Sequence, residues 1–423
     1  MSIRREIDRI RDSIAAAYTA VSERGGTIPE AQTCGGLAEA VRSIPGGAPV
    51  LPLDPAEVYR AARPADWMSM PEPGENEIYL LVHIPNGASS LLAFTVTCTG
   101  SCVVETGEAE GEGFQPLTSM QCASGTVFET ELNASEFGHP TGTGMRQALV
   151  RITGQDLRSW ETAVHSKKTA PANYKSWNIV EISCRMPSGT GVRCGNSTDT
   201  DSLSCLRFFT WRGKNNLTDA SKMFNFCRAL TAVVELDTSL TENMNSMFGS
   251  CTALAAVPQL ETGCTVNMSS MFSGCAGLTA VPQTDTAKVT NMSGMFSGCS
   301  ALTASPLLNT ASATNMDRMF YACGALTAVP ELNMGKTTSA SRTFYNCYHL
   351  GSVTLNPETA GWAGTNLELA RCSLNRGALT ALFNSLPVIT GGKRLDVSGN
   401  PGLSELTEEE LALPQSRGWV LYT

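Results

Sequence analysis

Charge is scarce in this chain. Only 16% of its 423 residues are Asp, Glu, Lys or Arg, well under the roughly 25% of an ordinary soluble protein. The balance is acidic, 39 acidic residues against 30 basic, for a net charge of −9. Nucleic acid and anionic membrane surfaces both demand clustered Lys and Arg, so neither is an expected partner. Histidine is scarcer still, with four residues: His83, His139, His165 and His349. None forms a metal pair at helical spacing, and the chain has no phosphate loop, nucleophile elbow or dinucleotide fingerprint. No metal and no cofactor is expected. Long apolar runs are also missing, since nothing approaches the ~18 consecutive apolar residues of a transmembrane helix. What remains is 42% hydrophobic residues with 38 Gly and 21 Pro. That composition is too apolar for disorder and describes a turn-rich fold, long enough for about three domains.

The N-terminus does not read as a secretion signal, because Glu6, Asp8 and Asp12 interrupt the basic region that should precede the apolar run 13–21. Ile3, Ile7, Ile10, Ile14, Ala17 and Val21 follow at separations of 4, 3, 4, 3 and 4, an apolar seam three heptads long. Isoleucine at both seam positions favours three or four strands, so a coiled-coil-like α-helical segment at 1–45 is expected to oligomerise as a trimeric stalk. A single amphipathic helix packed on its own chain is the alternative. The Pro- and Gly-rich stretch 46–56 reads as a linker.

From 57 to 206 the pattern shortens. Residues 77–84, 91–98, 102–104, 125–128, 147–152 and 177–182 alternate or run apolar between turn signals, as in an all-β antiparallel sandwich. Cys98 and Cys102 flank the turn at 99–101, but Cys122, Cys184, Cys194 and Cys205 follow at no metal-site spacing. Small buried residues in strands explain them.

The strongest signal is periodic. Phe224, Phe248, Phe272, Phe296, Phe320 and Phe344 are each 24 apart, as are Cys227, Cys251, Cys275, Cys299, Cys323 and Cys347. A Leu follows each Cys by three residues, and Met precedes the first five Phe, with Thr343 in the sixth copy. Such a unit cannot bury its apolar face alone and must stack as a solenoid. A short Leu-x-x-Val strand would pair with its copies at ~4.8 Å per layer. Cys at fixed phase would act as a small apolar filler, reduced and structural.

The segment 289–304, VTNMSGMFSGCSALTA, resembles the BspA-like leucine-rich repeat. Residues 14–45 are similar to the N-terminal segment of phage and prophage tail proteins, and 62–84 resemble a PKD-like sandwich found in the same proteins. Where that sandwich carries an Asp-Trp-Gly-Asp-Gly hairpin, this chain has Cys102-Val103-Val104-Glu105-Thr106-Gly107. The resemblance implies an α/β leucine-rich-repeat solenoid over 207–356, closed by a C-terminal repeat cap over 357–423. It also implies a non-enzymatic phage tail fibre or receptor-binding protein, assembled in the host cytoplasm and carried on the virion. Its partners would be other tail or baseplate proteins and a glycan or protein receptor on the bacterial host. A bacterial BspA-like surface adhesin is the rival, and a tailspike-like glycan hydrolase the third reading, since sugar-cleaving carboxylates need no motif.

A binding face should appear where the copies differ. Arg318 and Arg342 occupy equivalent positions, as do Tyr321 and Tyr345, with Tyr348 and His349 beside them. Aromatic faces and guanidinium forks suit sugars or peptide-like receptors. The alternative is that these side chains cover the solenoid's end.

Overall fold

In the computed structural model, the described residues are 52–110, 113–163, 178–195, 202–356 and 366–423. The expected N-terminal seam, Ile3 to Val21, lies outside them. The first described helix is α1 (Pro55–Ala62), started by the Asp54 carboxylate accepting from the Ala56 N–H at 2.9 Å. Only two more α-helices occur among the described residues, α2 (Arg376–Ser385) and α3 (Glu408–Ser416). The described fold is therefore mostly β, and no helical coiled-coil segment forms part of it. None of these helices is long and apolar enough to cross a membrane.

The middle section contains β1 (Glu77–Pro85), β2 (Ser89–Glu110), β3 (Gly113–Ala123), β4 (Val127–Asn133), β5 (His139–Pro140), β6 (Met145–Thr162), β7 (Ile179–Arg185) and β8 (Gly191–Arg193). Instead of two separate sheets, these join β9 (Phe208–Trp211) and β10 (Ala232–Glu235) in one ten-stranded sheet of order β10-β9-β7-β1-β6-β2-β3. β4 pairs with β2, and β5 and β8 pair with β6. The reason is the length of β2 and β6. Thr99-Gly100-Ser101, read as a turn, is an irregularity inside β2, where its register against β6 slips twice and Gly100 takes φ +77°. Gly154, paired with Cys102 just past this slip, is closely packed: a Cβ there would sit 2.9 Å from the Leu157 side chain and 3.2 Å from that of Cys102.

β1 is buried on both faces. Leu80 and Val82 enter the main core, while Leu81 joins Trp67, Met68, Leu149, Val180, Phe208 and Ala232 in a smaller one. α1 lies against this second cluster through Val58, Tyr59 and Ala62. The buried Glu181 carboxylate anchors it, accepting from Tyr59 Oη at 2.7 Å and from Arg63 Nε at 2.9 Å. Antiparallel pairing ends here, since β9 is parallel to β7 and β10 is parallel to β9. The next contact, Ala232 with Ala256, opens the repeat array.

The array corrects the expected α/β leucine-rich-repeat fold. Among the described residues the coils contain no helix, and the anticipated Leu-x-x-Val strand shrinks to single bridges such as Ala304–Ala328–Ser352. The coils are β-solenoid turns held by an alternating backbone pattern. The N–H groups of Ala220, Lys222, Phe224 and Phe226 donate to the carbonyls of Asn243, Asn245, Met247 and Gly249 in the next coil. Those of Met223, Asn225 and Cys227 donate three residues back, to Ala220, Lys222 and Phe224. Overlapping turns thus use every amide from 222 to 227, and the same pattern recurs in later coils. Two residues per coil take left-handed φ to make these turns: 222, 246, 270, 294, 318 and 342 at one phase, and 226, 250, 274, 298, 322 and 346 at the other. A run of residues at φ near −63° is impossible with such interruptions, which excludes a helix.

Inside, the six Phe rings form a stack with centroids 5.4 to 5.8 Å apart and planes within 12°. The cysteines are more than filler. Cys251, Cys275, Cys299, Cys323 and Cys347 each donate their thiol to the Phe carbonyl 27 residues earlier, at 2.9 to 3.1 Å. Burial pushes these thiols up, to about 12 for Cys347. Thr343, in the Met position, is buried without loss because its hydroxyl donates to Ala340 O at 2.8 Å and Met316 O at 3.1 Å.

The C-terminal section closes the stack. Strands β11 (Leu367–Glu368), β12 (Lys393–Asp396) and β13 (Trp419–Tyr422) pair in parallel, with α2 and α3 packed beside them. The expected capping box at Thr407 is present with Glu410. Both ends of the solenoid are thereby covered, one by the large sheet and one by this cap.

Phe272 has a ring on each side. Phe272→Ala should destabilise the protein by about 3–5 kcal/mol, the ordinary cost of truncating a buried Phe. Chemical denaturation would measure it, and a loss under about 1 kcal/mol would mean that the ring stack adds little beyond the backbone ladder.

Candidate functional site

The left-handed positions are where side chains leave the coil, for none of the twelve is buried. Along one face they line an open trough. A cleft of about 540 Å³ is formed by Ser270, Ser273, Ser293, Gly294, Ser297, Asn315, Asp317, Arg318 and Ser341. Next to it in sequence position is a second cleft of about 460 Å³, lined by Tyr321, Arg342, Tyr345, Glu368, Ala370, Arg371, Arg394, Asp396 and Ser398.

Backbone hydrogen bonds align the positions of this face. The carbonyls accepting at the second left-handed phase belong to Gly249, Ser273, Ser297, Tyr321, Tyr345, Ala370 and Ser398. These residues are one column. It is bland through Ser297, becomes aromatic at Tyr321 and Tyr345, and is small again from Ala370. The two tyrosines stack with centroids 5.9 Å apart and planes 6° from parallel.

Of the six residues expected from the sequence, Tyr321, Arg342 and Tyr345 meet in the second cleft, and Arg318 lines the first. Tyr348 and His349 line neither. Tyr348 is 53% exposed, and the His349 ring is held by its Nδ1 at 2.5 Å from the Gly324 carbonyl oxygen. The cap supplies the rest: Glu368, Arg371, Arg394, Asp396 and Ser398. Arg342 lies 3.8 Å from Glu368, and Arg394 Nη2 lies 2.6 Å from Asp396 Oδ2, with its guanidinium 4.1 Å above the Tyr422 ring. Burial works to raise the Asp396 carboxyl, but hydrogen bonds from Ser398 and the Arg394 guanidinium outweigh it and hold the group below its ordinary value.

The cap residues were missed because the period slips. Leu369 and Cys372 are the Phe and Cys of a further copy, displaced 25 residues from Phe344 and Cys347, and Cys372 donates to the Phe344 carbonyl at 3.2 Å. One rung later Asn400 takes the cysteine's place, donating through Nδ2 to Leu369 O at 2.9 Å. The Leu-x-x-Cys spacing at 369–372 was the available signal.

The remaining histidines lie elsewhere. His83 packs edge-on to Trp67, and burial lowers its imidazole to about 4. His139 faces Glu108 at 3.6 Å, and His165 is outside the described residues.

A family described as "Mycoplasma protein of unknown function, DUF285" matches residues 209–278 and 243–356. The match covers the repeat array and under half of the chain. No curated protein matches the chain. Family match and stacked-turn solenoid together fit a repeat surface protein.

Acid should loosen the cap that floors the cleft. Thr407 N–H and Arg376 hold Glu410 down to about 2, and Asp396 is also held below its ordinary value. A lowered carboxyl contributes stability that is complete above the ordinary value of 4.5 and is lost as pH falls towards about 2. Fluorescence of Trp419, whose indole N–H donates to Pro387 O at 3.0 Å, should report the loss. Glu410→Gln should flatten that decline; an unchanged acid profile in this variant would remove Glu410 from the account.

Proposed function

We propose that this chain is a non-enzymatic receptor-binding protein of a phage tail, which presents its solenoid face to the bacterial host surface. The observation that carries this is the column Gly249 to Ser398. The backbone frame repeats coil after coil, while this column changes from Gly and Ser to Tyr321 and Tyr345, and the left-handed position three residues before each tyrosine holds Arg318 and Arg342. A constant scaffold with a variable outer row is how a solenoid carries recognition. Stacked tyrosines and forked guanidinium groups are the chemistry of sugar and peptide contacts. Assembly as a homotrimer with other tail proteins, in the host cytoplasm, would multiply weak sites into firm attachment. The bacterial surface adhesin is the second reading, and the match to a mycoplasma family favours it.

A glycan hydrolase would use Glu368 and Asp396, which are paired in register on β11 and β12. It needs one carboxyl protonated near neutral pH. Asp396, held below its ordinary value by Ser398 and Arg394, does not suit that acid role.

Labelled protein should be retained by a subset of strains in a panel of bacterial cells, and Tyr321→Ala with Tyr345→Ala should reduce retention at least tenfold. Light scattering should give three times 44.9 kDa. Retention unchanged by the double variant would overturn the assignment of this face, and a monomer would overturn the trimer. Release of soluble sugar from the bound cells, abolished by Asp396→Asn, would move the reading to the hydrolase.

A further inference from the structure

We infer that the solenoid carries a second docking surface, a cleft between residues 283 and 331 that takes an extended segment of a partner protein, apolar at its centre and basic at its flanks. This surface stands apart from the receptor reading, for it shares no lining residue with either cleft described above. It begins with a ladder that stops. Gln259, Gln283, Leu307 and Glu331 form one column, each 24 residues from the next. Gln259 Nε2 donates to the Gln283 carbonyl at 2.6 Å. Gln283 Nε2 does the same to the Leu307 carbonyl, while its Oε1 accepts the Leu307 N–H at 3.1 Å. One side-chain amide thus satisfies both backbone groups of the next rung. Leu307 has no amide to pass this on, and among the described residues neither the N–H nor the carbonyl of Glu331 has a hydrogen-bond partner. An extended peptide offers the donor and acceptor that a glutamine would have supplied.

The walls select what accompanies those peptide groups. The cleft, of about 520 Å³, is lined by Leu307 and Pro330 beside Glu331, and Leu307 is 49% exposed. Apolar side chains of a partner would cover that leucine. Thr284 lines the same cleft, at the position that Leu236, Leu260, Leu308 and Leu332 hold in the other coils. It is 3% exposed and its hydroxyl has no partner. The coil gives up an apolar contact there without gaining a hydrogen bond. Two departures from the repeat therefore fall on one cleft. Its only charged lining groups are the carboxylates of Asp285 and Glu331, both exposed and without an ion pair among the described residues. With no cation in the lining, the complementary flanks are Lys or Arg.

The test uses the full chain and two fluorescent, end-blocked peptides, Lys-Leu-Ala-Leu-Lys and Glu-Leu-Ala-Leu-Glu, followed by anisotropy. The basic peptide should bind saturably and at least tenfold more tightly than the acidic one, and methylating its central amides should weaken it at least tenfold. Leu307→Gln continues the glutamine ladder onto Glu331 and should cost at least tenfold in binding while raising the melting temperature. Leu307→Met keeps an apolar wall without an amide and should bind as the parent does. Thermal melting would confirm that the variants fold. Should Leu307→Gln fail to fold, Asp285→Asn with Glu331→Gln decides, since Asn309 already fills the Asp285 position in the next coil; that variant should bring the two peptides to equal affinity. Absence of saturable binding by the basic peptide, parent affinity equal for both peptides, or binding indifferent to Leu307→Gln would each overturn the inference. A solution mass that falls in Leu307→Gln would make a second copy of this chain the occupant and overturn the assignment to a partner. Cell retention by the tyrosine face is untouched by any of these outcomes, so the two readings fail separately.

Discussion

The alternation of backbone amides along each coil is the constraint from which the rest of this structure follows. One N–H in two leaves for the neighbouring coil and the other closes a turn within its own, and this requires two left-handed residues at fixed phase. The left-handed conformation costs roughly 1 kcal/mol for a residue with a side chain, and only Gly274, Gly294 and Gly298 escape that cost among the twelve. The ladder of inter-coil hydrogen bonds holds the others in place. Each such bond is modest alone, on the order of 1 kcal/mol net, but breaking one turn would orphan buried groups in two coils at once.

The same geometry decides what each residue type does. The Met and Phe between the left-handed residues and the Cys just after them point inward, so they form columns and the Phe rings stack. The Phe carbonyl accepts the Cys N–H three residues on, and it also accepts the thiol of the following coil, 27 residues on. A weak donor suffices there because water is absent. The chemistry of the rung, a small donor aimed at a carbonyl, survives the substitution of Asn400 for cysteine.

Much of the architecture was legible. The 24-residue period, the buried ladder, the strands at 77–84 and 147–152, and the capping box at Thr407 all rest on local rules of periodicity and capping. What failed, failed for identifiable reasons. The spacing Met244, Met247, Phe248, Cys251 is the apolar stripe of a helix as well as that of overlapping turns, and side-chain pattern alone does not separate them. Thr99-Gly100-Ser101 has turn chemistry, yet the flanking residues find partners that keep one strand running through it. Half of the cleft came from the cap because spacings of 25 and then 28 break the period, and register there is carried by hydrogen bonds instead of sequence. Tyr321, Arg342 and Tyr345 were visible as departures from a repeat; Arg371 and Arg394 had no repeat left to depart from.

That last contrast explains why the cleft lies where it does. Within the regular coils the outward columns are evenly spaced, so any side chain larger than Ser stacks against its copy and fills the trough, as Tyr321 and Tyr345 do. The cleft beside the cap adds groups from outside the repeat. There Ala370 follows Tyr345, and Glu368 and Asp396 arrive in adjacent strands, each with its own arginine. The irregularity that ends the solenoid is thus also what gives it a site, and the regular coils before it supply the rigidity that holds that site open.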